Sequence, residues 1–115
     1  MNKIKLVVNN EAKKNEREKF FIKQELQSIL NLYAKMVSNG SWKDYSFTSG
    51  IKEVSFDVYQ RASEKPVLRI LKNLKPKYFN EKYLIKDKNG AILKKSENLN
   101  QLISKTSWNK LKLVK

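Results

Sequence analysis

The spacing of apolar residues changes period along the chain, and the changes mark out its elements. Between residues 23 and 39 they fall at Leu26, Ile29, Leu30, Tyr33 and Val37, with Ala34 and Met36 at the margins. Intervals of three and four trace one stripe on a helix. Lys23, Gln24, Gln27, Asn31 and Lys35 take the opposite face. Gly40 suits the left-handed residue that ends a helix, and Lys35 sits where the helix dipole favours a cation. Ile22 stands where Ser or Asp would cap the start. Burial of Phe20 and Phe21 is expected to anchor the incoming chain instead.

From Trp42 onward the period is two. Tyr45 and Phe47 share a face, and so do Val54, Phe56 and Val58, with Ser55, Asp57 and Tyr59 opposite. Ser49-Gly50 between them reads as the turn of an antiparallel hairpin. Residues 63–66 make another connection, and Pro66 can precede a third strand over 67–72 but not occupy its centre. Residues 73–80, with Pro76, read as a loop. Strands over 83–87 and 91–95 flank Lys88-Asn89-Gly90, whose Asn-Gly pair predicts a type I′ hairpin. A second helix follows over about 98–106. Leu99, Leu102, Ile103 and Thr106 share its face, Asn98 and Gln101 suit a capping box, and Ser96 is the rival cap. Residues 111–114 suggest a short terminal strand or an extended tail at a sheet edge.

Helix, about five strands and helix, joined by hairpins without a βαβ rhythm, give an α+β fold: an antiparallel sheet with two flanking helices. One sheet face is expected to lie under the helices, leaving the other for a ligand. Residues 1–19 are charged and lack a sustained period, so they read as a basic, mobile arm, with a short pairing segment at Lys5 to Val8 or a frayed helix before Phe20 as alternatives, ahead of a single compact domain over 20–115.

Charge adds a partner to this picture. The 115 residues carry 25 basic and 11 acidic side chains, a formal charge of +14. Residues 1–65 account for +4 and residues 66–115 for +10. Self-repulsion of that size points to a polyanion, nucleic acid or an anionic membrane surface. Lysine outnumbers arginine 22 to 3, which suits a diffuse field better than bidentate base recognition. A solvated lysine coat without a partner is the plain alternative. The lysine-rich half has strand periodicity, which argues against a membrane-surface helix.

Enzyme chemistry is poorly supplied. The chain has no cysteine and no histidine. Disulfides and thiolate chemistry are therefore excluded, and the usual base near neutral pH is missing. Asp44, Glu53, Asp57 and Glu64 match no known hydrolase or metal pattern. Gly40, Gly50 and Gly90 are isolated and serve turns, so no phosphate-binding glycine loop exists. No enzyme activity, metal or cofactor is expected. No stretch suits a signal peptide or reaches the roughly 20 apolar residues that span a bilayer, and a cytoplasmic protein is the default expectation.

Two groups of residues are candidates for binding. Tyr59-Gln60-Arg61-Ala62-Ser63-Glu64 gathers varied chemistry at a strand end. Arg61 with Arg69 could clamp a phosphate or carboxylate, whereas an Arg61–Glu64 pair would simply lock the turn. Lys72, Lys75, Lys77, Lys82, Lys86, Lys88, Lys94 and Lys95 surround Tyr78, Phe79 and Tyr83. Lysines would contact phosphates and exposed rings would stack bases, with Tyr78 as the candidate platform. Aromatics in such strands are more often core, and Phe79 and Tyr83 are expected there. Trp42 and Trp108 each follow a helix, where a large ring plugs the junction with the sheet; an exposed protein-binding anchor is the alternative.

The stretches LQSILNLYAKMVSNGSWKDYSF, FDVYQRASEKPVLRILK and NGAILKKSENLNQLI resemble a family of small alphaproteobacterial proteins known as a domain of unknown function. The resemblance runs from about Phe21 to Val114 and implies one intact compact domain in a bacterial cytoplasm. It implies no activity or ligand. The chain departs from the family pattern at Ala34, where glycine is usual, and in carrying lysine where arginine often stands. The expected function is binding of RNA or single-stranded DNA, mainly through backbone phosphates. The rival is a protein-interaction or assembly module that docks on an acidic protein partner.

Overall fold

The computed structural model describes residues 19–61 and 65–108. The expected arm, Lys19 apart, and the terminal segment 111–114 lie outside the described residues, as do Ala62, Ser63 and Glu64 of the third connection. Helix α1 (Lys23–Ser38) leads into strands β1 (Asp44–Ser49), β2 (Glu53–Tyr59) and β3 (Leu68–Asn73). A single 3-10 turn (Phe79–Glu81) then precedes β4 (Tyr83–Asp87), β5 (Ile92–Ser96) and helix α2 (Leu99–Lys105). The strands form one antiparallel sheet in sequence order, β1-β2-β3-β4-β5. Among the described residues the fold is α+β, a five-stranded antiparallel sheet with two helices.

Both helices pack on one sheet face. Val54, Phe56 and Val58 of β2, Leu68 and Ile70 of β3, and Tyr83 and Ile85 of β4 meet α1 and α2 in a common core. An aromatic chain runs across it: Phe20 edges onto Phe47, Phe47 packs on Phe56, Phe56 on Tyr33, and Tyr33 on Trp42. Trp42 meets Trp108 edge-on at 5.7 Å. Trp42 is buried, and Trp108 Nε1 donates to Ile103 O at 2.9 Å, so the two rings close the helix–sheet junction.

The stripe of α1 is rotated from the expected one. Glu25, Ile29, Leu32 and Met36 are buried, while Leu30 and Val37 are 39% and 40% exposed. The buried line includes a carboxylate, which hides it from a search for apolar period. Glu25 Oε1 accepts from Ile22 N at 2.8 Å, supplying the half of a capping box that an isoleucine N-cap permits. The end of α1 is a Schellman motif. Gly40, at φ +82°, donates to Val37 O at 3.0 Å and Ser41 N donates to Met36 O at 2.9 Å. Helix α2 keeps its expected cap, with Asn98 accepting from Gln101 N at 3.0 Å and Ser96 Oγ accepting from Asn98 N at 3.1 Å.

Two local expectations change. No residue but glycine has positive φ among those described, so Asn89 is not left-handed and the Lys88-Asn89-Gly90 turn is not type I′. Gly90, at φ +84°, donates to Asp87 O at 3.0 Å, and Asp87 N donates to Ala91 O at 3.0 Å. This is the three-residue hairpin in which a type I turn is followed by a left-handed glycine. Asp87 Oδ1 selects it by accepting from Asn89 N and Ala91 N, both at 2.9 Å.

The sheet face away from the helices is also not the free surface expected of it. Ser55, Asp57, Leu71 and Leu84 on that face are all buried. Asp57 accepts from Thr48 Oγ1 at 2.6 Å, Ser55 Oγ at 2.7 Å and Arg69 Nε at 2.9 Å. A buried carboxylate with three donors is a satisfied structural group.

Candidate functional site

The eleven candidate residues fall into five places. Lys72 is in the core. On β3 it has the same parity as Leu68 and Ile70, and its register partners Val54 and Tyr83 face the helices. Its Nζ lies 2.9 Å from Glu25 Oε1 and donates to Phe20 O at 3.0 Å. The Tyr83 hydroxyl donates to the other oxygen of Glu25. Lys72 is fully buried and cannot reach an external phosphate. The alternation of β3 carried that signal, since Leu68, Ile70 and Lys72 are two residues apart.

Arg69 belongs to the opposite face. Its Nε grips Asp57, and its Nη2 donates to Ser55 Oγ at 3.0 Å. The guanidinium that was to clamp a ligand with Arg61 is committed to the sheet. Arg61 is exposed at the end of β2, engaged by a contact of its own. The rival Arg61–Glu64 lock lies outside the described residues, because Glu64 does.

Lys86, Lys88, Lys94 and Lys95 spread along the last hairpin. Lys86 is opposite Arg69 and half-buried, whereas Lys88 is exposed in the turn. Lys94 is opposite Ile85 and Lys95 opposite Leu84, so their side chains leave β5 on different faces. Lys95 Nζ stands 3.8 Å from Glu81 Oε2.

Lys75, Lys77, Tyr78 and Lys82 do come together, in the β3–β4 connection. Pro76 and the 3-10 turn at Phe79–Glu81 lie within this connection. Its two ends are pinned: Asn73 N donates to Lys82 O at 2.7 Å, and Leu74 N donates to Lys52 O at 2.8 Å. The second bond ties it to the tip of the β1–β2 hairpin, which brings Lys52 and Ile51 to the same end of the sheet. Lys77 Nζ lies 5.7 Å from the Tyr78 ring centroid, within cation–π range.

Exposure separates the aromatics. Tyr83 is core as expected, but Phe79 is 82% exposed and Tyr78 57%. Ile51 is 89% exposed. Phe79 escapes the core because it opens a 3-10 turn outside the strands, where period-two burial does not apply. Lys52, Ile51 and Phe79 complete a cationic, ring-bearing end that the sequence showed only in part. Glu53 and Glu81 are the acids nearest in sequence, and Glu81 faces Lys95.

Of the carboxylates Asp44, Glu53, Asp57 and Glu64, the last lies outside the described residues. Asp57 is consumed by its three donors, and Asp44 accepts from Tyr45 N at 2.8 Å on the edge strand. Among the described residues no three potential ligands gather as a metal site, and no helix is long and apolar enough to cross a membrane.

No curated protein and no solved structure matches the chain. A family model does, over residues 19–103, and its span covers helix α1, all five strands, the cationic end and most of helix α2. The chain therefore belongs to the family described as Protein of unknown function (DUF2794).

Proposed function

We propose that this protein is a non-enzymatic, single-stranded nucleic-acid-binding protein of the bacterial cytoplasm, RNA or DNA, and that it binds through the β3–β4 end of its sheet. The observation that carries the reading is the exposure of Tyr78 and Phe79 among Lys52, Lys75, Lys77 and Lys82. Bare rings of this kind cost free energy in water and stack on any base, while lysines follow the phosphates without reading sequence. The overall charge of +14 adds attraction at longer range.

A second reading is a protein-interaction module. It is favoured by the dispersal of Lys86, Lys88, Lys94 and Lys95 over different faces and by exposed Ile92 and Leu93 on the edge strand β5.

Titration of labelled single-stranded RNA, single-stranded DNA and duplex over a range of salt decides between them. Four lysine–phosphate contacts give a log–log salt slope of roughly −3 for a single strand. Preference for single strands with that slope supports the site. Binding that is equal for all three and for heparin, and vanishes near physiological salt, overturns it.

A further inference from the structure

On the helix side, away from the lysine-bearing end, a groove of about 760 Å³ runs between α1 and α2. Leu32, Met36, Ile103 and Trp108 give it an apolar lining. Asn31, Lys35 and Asn39 recur every four residues along its α1 side, as one face of a helix requires. Asn100 and Ser104 stand on the α2 side. None of the residues lining the groove is acidic.

Each amide oxygen of this groove already accepts one hydrogen bond. Asn31 Oδ1 accepts from Gln27 Nε2 at 3.4 Å, Asn39 Oδ1 from Ser41 N at 3.0 Å, and Asn100 Oδ1 from Ser28 Oγ at 2.7 Å. Asn39 Nδ2 in turn donates to Met36 Sδ at 3.7 Å, so the NH2 groups of Asn31 and Asn100 and the Lys35 ammonium are the donors left to meet a ligand. The groove is thus rich in donors, carries one cation and has apolar walls. Its complement is rich in acceptors, negatively charged and partly apolar.

An extended peptide has that chemistry. Its carbonyls accept from side-chain amides, and apolar side chains at alternate positions reach one face. From Ser28 to Asn39 the helix rises about 16 Å, the span of about five extended residues. A single lysine is a poor basis for phosphate-backbone binding, which gains from neutralising several charges together. We propose that the groove between α1 and α2 binds an acidic segment of a partner protein, extended and carrying apolar residues at alternate positions. The inference is independent of the nucleic-acid reading and uses a different face.

The test uses the full chain and a fluorescent peptide of alternating Asp and Leu, with a Lys–Leu peptide and single-stranded RNA as controls. Backbone amide NMR shifts locate the contact. Binding of the Asp–Leu peptide alone is expected, with shifts confined to residues 28–39 and 100–108. Lys35→Glu should weaken it about tenfold or more, and Ser104→Trp, which fills the groove from an exposed position, should abolish it. Neither change should alter RNA binding. The proposal is overturned if the peptide does not bind, if both variants bind it as wild type does, or if the shifts spread over the lysine-bearing surface. Displacement of the peptide by RNA from the same residues would assign the groove to nucleic acid and also overturn it.

Discussion

Lys72 and Glu25 are 47 positions apart in sequence, yet their charged atoms lie 2.9 Å apart inside the core, with Lys72 completely shielded from solvent. Tyr83 and Ile22 N also donate to Glu25, and the Phe20 carbonyl accepts from Lys72. The pair fastens the start of α1 to the middle of the sheet. Such a pair is costly to break from one side, because the survivor remains buried as an unpaired charge.

Lys72→Met is therefore expected to destabilise the domain by about 3–5 kcal/mol. Adding Glu25→Leu should recover part of the loss, since it removes the unpaired buried carboxylate while leaving the Tyr83 hydroxyl and Ile22 N without their acceptor. Urea unfolding of both variants checks this. A single-variant loss below about 1 kcal/mol would show that Lys72 is not buried with Glu25.

The face that α1 presents to the sheet is separately testable. Leu32→Ala removes a buried side chain and should cost about 2–5 kcal/mol. Leu30→Ala, at a half-exposed position, should stay within about 1 kcal/mol. The opposite order, read by thermal or urea melts, would restore the stripe expected from apolar spacing alone.

Alkaline pH should weaken the domain through Tyr33. Burial of its ring raises the hydroxyl pKa above the ordinary 10.0, and the nearby Asp44 and Tyr45 add to the shift. Its O–H donates to Lys43 O at 3.2 Å. A raised folded-state pKa means that the folded protein holds this proton more tightly than the unfolded chain does. The stabilisation is complete below pH 10 and is lost as pH rises through the folded-state value. Tyr33→Phe should flatten that alkaline decline in a stability–pH profile. An unchanged decline would place its cause elsewhere.

Phe79→Ala separates function from stability at the cationic end. The ring is exposed, so unfolding free energy should change by no more than about 0.5 kcal/mol. Affinity for single strands should fall by about 1–3 kcal/mol, the worth of one base stack. Replacing Lys75 and Lys77 with Gln should instead lower the salt slope by about one to two. Unchanged affinity in the Phe79 variant would remove stacking from the binding mode.

The amino-acid order by itself determined the class of this domain. Two periods, a left-handed Gly40, an Asn98 cap and well-placed turn residues specify helix, five strands and helix through contacts local in the chain. Local chemistry also set the exclusions, because an absent histidine or cysteine is absent from any fold. Tertiary structure decided which cations face water. Lys72, Lys75 and Lys77 are alike as residues, but strand parity turns Lys72 toward Glu25 while the loop releases the other two. It likewise committed Arg69 to Asp57 across a register of neighbouring strands, exposed Phe79 on a 3-10 turn, and set Lys35 and Asn100 on opposite sides of one groove. The side of β3 that Lys72 takes is legible in its alternation with Leu68 and Ile70, but its pairing with Glu25 and the other outcomes depend on partners distant in sequence, whose free energy of pairing no local pattern contains.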